Sequence, residues 1–468
     1  MEKHDYNLMV IGGGPGGYTA AIRGAQLGFK VCLVEKQNIG GTCLNTGCIP
    51  TKALYKSAEV YNSVKKSEEF GILSHHISIN WELVQQRKTG ITQKLKEGIL
   101  KLIEANNITI INGEAEFVDK NRVLIKGESP EKNRISADRI IIATGSKASR
   151  PPIEDADLPG VLDSSSLLSI DHIPESLAII GGGVIGMEFG AIFNALGSKV
   201  TVVEFLPNIL AQLDSDMVKR LMPIYKKKGI EILTGSRVLK IEKKHKLELL
   251  VSTKKGEVNI EADYVLLSTG RQPDLEALKL DNAKVEYHKK GIFTNSFGVT
   301  NVPHIYAIGD VTGGIMLAHA AAHQGIAAVE HIAGLKPNEN NVVPACVFTF
   351  PEIAYAGMTE DEAKSKGIVY KTSRFMFGAN GKALILGEGE GFIKVICDDM
   401  DVLLGVHIMG PHASDLINEG ILAIGMKLKA EDIMGIVHPH PTLGETFLEA
   451  VMGIKGVSIH SVPVKKNL

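Results

Sequence analysis

Two cysteines five residues apart, Cys43 and Cys48, stand in the stretch Gly40-Gly41-Thr42-Cys43-Leu44-Asn45-Thr46-Gly47-Cys48-Ile49-Pro50-Thr51-Lys52. Paired thiols serve a metal or a redox step. A tetrahedral metal site needs two more ligands at suitable spacing, and Cys346 and Cys397 are isolated in the sequence. On a regular helix, positions five apart diverge by about 140° and 7.5 Å, outside the reach of a disulfide. A bridge here therefore requires a distorted turn, for which Gly47 and Pro50 supply the irregularity. Such a strained bridge would be of the readily reduced kind. A second cluster lies near the C-terminus, His438-Pro439-His440-Pro441-Thr442-Leu443-Gly444-Glu445. Two prolines fix the loop, and a carboxylate close to a histidine can orient it as a proton acceptor.

The elements that must position these groups follow from the hydrophobic pattern. Leu8 to Ile11 reads as a strand, Gly12-Gly13-Gly14-Pro15-Gly16-Gly17 as a turn, Tyr18 to Leu27 as an amphipathic helix and Lys30 to Glu35 as a second strand. Gly12, Gly14 and Gly17 occupy the G-x-G-x-x-G positions: the tight turn, the close backbone approach to a pyrophosphate, and helix-on-strand packing. Glu35 ends the second strand, where a carboxylate can accept hydrogen bonds from a ribose. The pattern then repeats, with Leu177 to Ile180 as strand, Gly181, Gly183 and Gly186 as the fingerprint, a helix to Leu196, and Val200 to Glu204 as strand. Gly12 is as far from Glu35 as Gly181 is from Glu204. Apolar strands ending in Thr-Gly follow each copy, Asp138 to Gly145 and Asp263 to Gly270. Two homologous dinucleotide-binding units in tandem are expected. A last buried strand, Ile305 to Ile308, runs into Gly309-Asp310, where Asp310 is placed to bond a cofactor hydroxyl. Beyond Val347 the pattern changes to strands and hairpins (Phe392 to Cys397, Leu403 to Met409) interleaved with helices such as Ala413 to Leu428, preceded by a connector from Pro337 to Pro344. The predicted fold class is α/β, two tandem Rossmann-like dinucleotide-binding domains plus an α+β C-terminal domain. The expected boundaries are 1–148 with 276–346, 149–275, and 347–468.

Composition excludes several classes. At 468 residues the chain exceeds the usual domain size of roughly 150 about threefold, so more than one core is expected. The net charge of -2, with no long basic block, argues against a nucleic-acid partner. Glycine is in excess, 49 residues against a background of roughly 7%, as expected where backbone approaches a cofactor. Five cysteines, an odd number, suit a reducing compartment rather than a disulfide scaffold. The first apolar run, Tyr6 to Ile11, begins almost at Met1 and leaves no room for a leader, so a cytoplasmic protein is expected. The best membrane-span candidate, Leu177 to Val203, carries Glu188, Lys199 and several glycines, so no membrane partner is expected.

These residues carry a resemblance. GGGPGG at Gly12, GGTCLNTGCIPTK at Gly40, GGGVIGMEFG at Gly181, the strand into Gly309-Asp310 and HPHPTLGE at His438 appear in family order over nearly the full length. The chain resembles the dihydrolipoamide dehydrogenase branch of the pyridine nucleotide-disulfide oxidoreductases. The resemblance implies a homodimer with FAD in the first unit, NAD in the second, and a C-terminal interface domain that completes the partner's active site. It makes Cys43 the interchange thiol, Cys48 the charge-transfer thiol beside the flavin, and His440 the base from the other subunit, oriented by Glu445. It also pairs Glu188 with Lys52 next to the flavin, assigns Lys52, Thr144, Gly145, Gly309, Asp310, Ala318 and His319 to FAD, and assigns Glu188 and Gly270 to NAD. The implied partners are the lipoyl domains and the dihydrolipoyl acyltransferase core of 2-oxoacid dehydrogenase complexes. Glu204 suits a ribose diol and repels a 2'-phosphate, and no arginine follows it nearby, so NAD is expected over NADP.

Related reductases fit less well. Glutathione and trypanothione reductases usually read Lys-Lys where this chain reads Thr51-Lys52, and mercuric reductases end in a vicinal cysteine pair where this chain ends Val462 to Leu468. Soluble transhydrogenases of this fold generally lack the dithiol. Thr51, Pro439, Gly444 and Gln324 depart from the commoner family residues without removing a reacting group. A non-catalytic nucleotide-binding subunit is disfavoured by retention of both thiols and the His-Glu pair.

Overall fold

The computed structural model describes residues 4–127, 133–337 and 342–462. The first body is built on a parallel sheet in the order Thr109–Asn112, Val31–Glu35, Tyr6–Ile11, Arg134–Ile142 and Ile305–Ala307. Its central strand is apolar on both faces because both faces are covered. Leu8 and Val10 pack with Ala20, Ala21, Ala328 and Val329 of the helices Pro15–Gln26 and Ala318–Ile332. Met9 and Ile11 pack with Phe117, Val123 and Ile125 of an antiparallel meander, Glu114–Phe117 and Arg122–Lys126, that returns into Arg134–Ile142.

The second body repeats this plan. Glu231–Thr234, Lys199–Glu204, Ser176–Ile180, Tyr264–Leu267 and Val161–Asp163 form a parallel sheet. Leu177 and Ile179 pack with Phe189 and Phe193 of the helix Val184–Ala195, while Ala178 and Ile180 face a separate three-stranded meander through Val238, Leu249 and Val251. Where the chain leaves the first body and returns to it, Ser146–Ala148 pairs antiparallel with Arg271–Pro273.

The third body is a five-stranded antiparallel sheet, Ala345–Val347, Glu352–Gly357, Leu403–Gly410, Phe392–Asp398 and Tyr370–Met376, covered by the helices Ala413–Gly425 and Gly444–Ile454. The predicted class, two tandem dinucleotide-binding units and an α+β third body, is the observed one. Helix boundaries differ. The first helix starts at Pro15, since a proline lacking an N–H fits the first turn. The helix predicted to run to Leu428 stops at Gly425, because Lys427 adopts a left-handed conformation and the Leu428 carbonyl accepts from Leu403 N–H. Part of the expected connector, 338–341, lies outside the described residues. No helix among the described residues is long and apolar enough to cross a membrane.

Candidate active site

The dithiol stands on a broken helix. Gly41–Thr46 forms one short helix, Cys48–Lys65 a second, and Gly47 between them takes φ -144° and ψ -112°. A Cβ on Gly47 would lie 2.9 Å from the Thr42 carbonyl oxygen, so a side chain there would crowd the break. The distortion belongs to Gly47 alone. Pro50 sits in the first turn of the second helix, where its missing N–H has no intrahelical partner to lose. Gly41 lies against the first glycine turn, a Cβ there falling 2.7 Å from Gly14 Cα, which ties the dithiol to the first nucleotide unit. Asn45 closes the short helix by donating to the Ile39 and Gly41 carbonyls at 3.1 and 2.8 Å.

Both sulfurs are free thiols, and the Cys43 thiol donates towards Cys48. That hydrogen bond, with the Lys52 charge, outweighs burial and the Glu188 carboxylate and brings Cys48 down to about 7. Cys48 is also the first residue of its helix, where the N-terminal dipole favours a thiolate. The same hydrogen bond, together with burial, pushes Cys43 up. Lys52, one turn after Cys48, forms a bidentate pair with Glu188 of the second body at 2.9 and 2.7 Å. Glu188, only 4% exposed, also accepts from Phe348 N–H at 3.0 Å, and Lys52 Nζ lies 4.6 Å from the centre of the Phe348 ring. All three bodies thus meet at Lys52.

One cavity of about 1370 Å³ joins the thiols to both glycine turns. Gly12, Gly14, Glu35, Thr144, Gly145, Gly309, Asp310 and Ala318 line it on the first body, and Gly181, Gly183, Glu188, Glu204 and Gly270 on the second, with Cys43, Cys48 and Lys52 between. The volume exceeds the roughly 300–1000 Å³ of a single small-ligand pocket and suits two extended ligands. Gly17 and Gly186 stand behind the lining, where a Cβ would fall 1.8 Å from the Gly12 oxygen and 2.1 Å from the Gly181 oxygen. These two glycines let each helix start press against its strand. Neither helix carries a side-chain cap, so first-turn N–H groups and the helix dipole face the cavity as an anion site. Glu35 accepts from Gly13 and Gln37 N–H at 2.6 and 2.7 Å, and Glu204 from Gly182 and Leu206 N–H at 2.5 and 2.6 Å. The two cradles are alike to the hydrogen bond, and each fits a dinucleotide.

His440 Nδ1 lies 2.9 Å from Glu445 Oε1, and Thr442 N–H donates to Glu445 Oε2 at 2.8 Å. Burial alone would raise the Glu445 carboxyl, but Thr442 and His440 outweigh it and hold the group below the usual carboxylate range. The His440 side chain is 78% exposed, and neither it nor Glu445 lines the cavity. His319 does not line it either: its Nε2 lies 2.7 Å from the Pro344 carbonyl oxygen, tying the start of its helix to the third body.

Some contributors carry no local signal. Arg271 reaches back across the two-stranded link to Ser146, whose hydroxyl donates to Asp310 at 2.5 Å. Gly113, Glu114 and Ala115 line the cavity from the first meander. Gln324, in place of a commoner glutamate, accepts from Gly309 N–H at 2.7 Å through its amide oxygen, so the exchange keeps the acceptor.

Residues 6–325 match the pyridine nucleotide-disulphide oxidoreductase family, and residues 343–451 match its dimerisation domain. The chain belongs to this family of flavoprotein disulfide oxidoreductases. Within it, the chain is 41% identical to a dihydrolipoyl dehydrogenase of Bacillus subtilis, covering 97% of this chain and 99% of that one. It is 40% identical to the mitochondrial dihydrolipoyl dehydrogenase of Schizosaccharomyces pombe, covering 97% and 91%. Among solved structures, the HOCl-induced flavoprotein disulfide reductase RclA from Escherichia coli superposes with a TM-score of 0.86 at 27% identity, covering 95% and 99%.

Proposed function

We propose that this protein is a dihydrolipoyl dehydrogenase, oxidising protein-bound dihydrolipoamide to lipoamide and reducing NAD through FAD, as the flavoprotein of a 2-oxoacid dehydrogenase complex. In this reading it acts in the cytoplasm as a homodimer and meets lipoyl domains and the acyltransferase core. Residues 1–148 and 276–346 hold FAD, 149–275 hold NAD, and 347–468 form the dimer interface. The observation that carries the reading is the Cys43/Cys48 pair, with Cys48 brought to about 7, standing between two matched glycine cradles in one cavity. The identity of about 40% to dihydrolipoyl dehydrogenases, against 27% to the disulfide reductase, favours lipoamide as substrate.

The side chains support a balanced sequence of thiol steps. In the proposed homodimer the partner's His440, held by Glu445 of the same subunit, takes the proton from a dihydrolipoyl thiol, and the resulting thiolate attacks Cys43 of the oxidised pair. The Cys43–Cys48 bond breaks, a mixed disulfide forms, and Cys48 leaves as thiolate. The second substrate thiol attacks the substrate sulfur of that mixed disulfide. Lipoamide leaves as the bond to Cys43 breaks, the proton of the second substrate thiol passes to Cys43, and the first proton stays on the histidine. Lys52 holds the negative charge on Cys48, and Glu188 holds Lys52. The glycine turn at Gly12 would hold FAD, which would supply an acceptor for the electron pair of Cys48, and the turn at Gly181 would hold NAD, which would supply the hydride acceptor. Glu204 favours NAD because its carboxylate, fixed by two N–H groups, repels a 2'-phosphate.

Steady-state formation of NADH from dihydrolipoamide tests the proposal. Turnover with NAD, lost in Cys48→Ser and strongly reduced in His440→Ala, is expected. Turnover of a different disulfide with none of dihydrolipoamide would overturn the substrate assignment.

A further inference from the structure

A second charge cluster lies outside the cavity. Lys394, on the third-body strand Phe392–Asp398, is fully buried, as is its partner Asp214 of the second body. Lys394 Nζ lies 2.8 and 2.9 Å from the two Asp214 oxygens, 2.9 Å from Asp216 Oδ2 and 2.5 Å from Glu360 Oε2. Asp214 caps the helix Ser215–Lys227 through Asp216 N–H and accepts from Glu360 N–H at 3.0 Å. A lysine buried among carboxylates from two bodies fixes their relative placement, because its removal strands buried charge.

The anchored segment leads to the second glycine turn. Leu210 N–H donates to the Gly182 carbonyl at 2.8 Å, and Gly182 N–H donates to Glu204. Leu210 has φ +47°, a left-handed conformation that a branched apolar residue adopts only when held. The segment is held at one end by Gly182 and at the other by Lys394, and Gln212 between them lines the cavity. We infer that Lys394 is a positioning residue for the second nucleotide: through Asp214 it fixes the segment that backs Gly182 and Glu204, so the third body sets the shape of that cradle. This rests on the reading that the second cradle takes a nicotinamide dinucleotide.

The test is calorimetric binding of NAD to the oxidised holoenzyme, alongside flavin content and the rate of flavin reduction by dihydrolipoamide, in Lys394→Met and Asp214→Asn. The expected result is a rise in the NAD Kd of roughly tenfold, with flavin content unchanged and flavin reduction within about twofold of wild type. An unchanged Kd in folded Lys394→Met overturns the inference. So does a parallel loss of NAD binding, flavin and thermal stability, which is what a merely structural clamp gives. If Lys394→Met does not fold, Asp214→Asn is judged by the same criteria. NAD binding is read without a thiol substrate, so a wrong lipoamide assignment leaves this test standing, whereas a wild type that does not bind NAD overturns both readings.

Discussion

Removing the Lys52 charge should raise the Cys48 midpoint and disarm the thiolate without disturbing the dithiol. Cys48 stands at about 7 instead of 9.0 because the Cys43 thiol donates to it and Lys52 attracts its charge. Lys52→Met leaves the Cys43 bond and the helix N-terminus in place and takes away the charge one turn along the same helix. An adjacent opposite charge is worth about one pKa unit or more. At neutral pH the thiolate fraction should then fall from about half to about a tenth, a loss of about fivefold. Glu188→Gln should move the midpoint the other way, because the Glu188 carboxylate raises it. The assay is the pH dependence of iodoacetamide labelling of Cys48 in the reduced enzyme, located by peptide mass. An unchanged midpoint in Lys52→Met, or a higher one in Glu188→Gln, would refute this electrostatic account.

Other substitutions separate the remaining parts of the site. Gly17→Ala puts a Cβ 1.8 Å from the Gly12 oxygen, so the purified protein should lose most of its flavin absorbance. Glu204→Gln retains one acceptor for the two N–H groups of Gly182 and Leu206, so the KM for NAD should rise about tenfold, the loss of about one charge-assisted hydrogen bond, with flavin content unchanged. His440→Ala should lower dihydrolipoamide turnover by about 10² to 10⁴ while the flavin spectrum stays the same. Asp214 lies below its ordinary 3.8 because, against burial, Lys394 and the Glu360 N–H favour the carboxylate. A depressed carboxyl contributes its full stability above 3.8 and loses it as the pH falls through the still lower folded value. Below 3.8 the melting temperature of Asp214→Asn should therefore vary less with pH than that of the wild type.

What the sequence made legible was local. A strand, a glycine turn and a helix are specified by adjacent residues, so Gly12 to Glu35 and Gly181 to Glu204 could be read as two copies of one unit. The break between Cys43 and Cys48 was legible for the same reason, although the spacing alone did not separate the role of Gly47 from that of Pro50. Long-range contacts left no such trace. Phe348 reaches Glu188 from the third body, Arg271 reaches Ser146 across the link, and Lys394 meets Asp214 between bodies, each joining residues with no shared periodicity. Gln324 shows the converse: by residue type it departs from the family pattern, yet its amide oxygen performs the acceptor's task. His319 follows a family pattern by position, but its ring binds Pro344 instead of facing the cavity.

The most direct test of the central claim is anaerobic titration of the purified protein with dihydrolipoamide, following flavin absorbance, then addition of NAD. The account expects a long-wavelength thiolate-to-flavin band on two-electron reduction, discharged by NAD and absent in Cys48→Ser. A spectrum unchanged by dihydrolipoamide, in a protein that retains its flavin and turns over another disulfide, would contradict it.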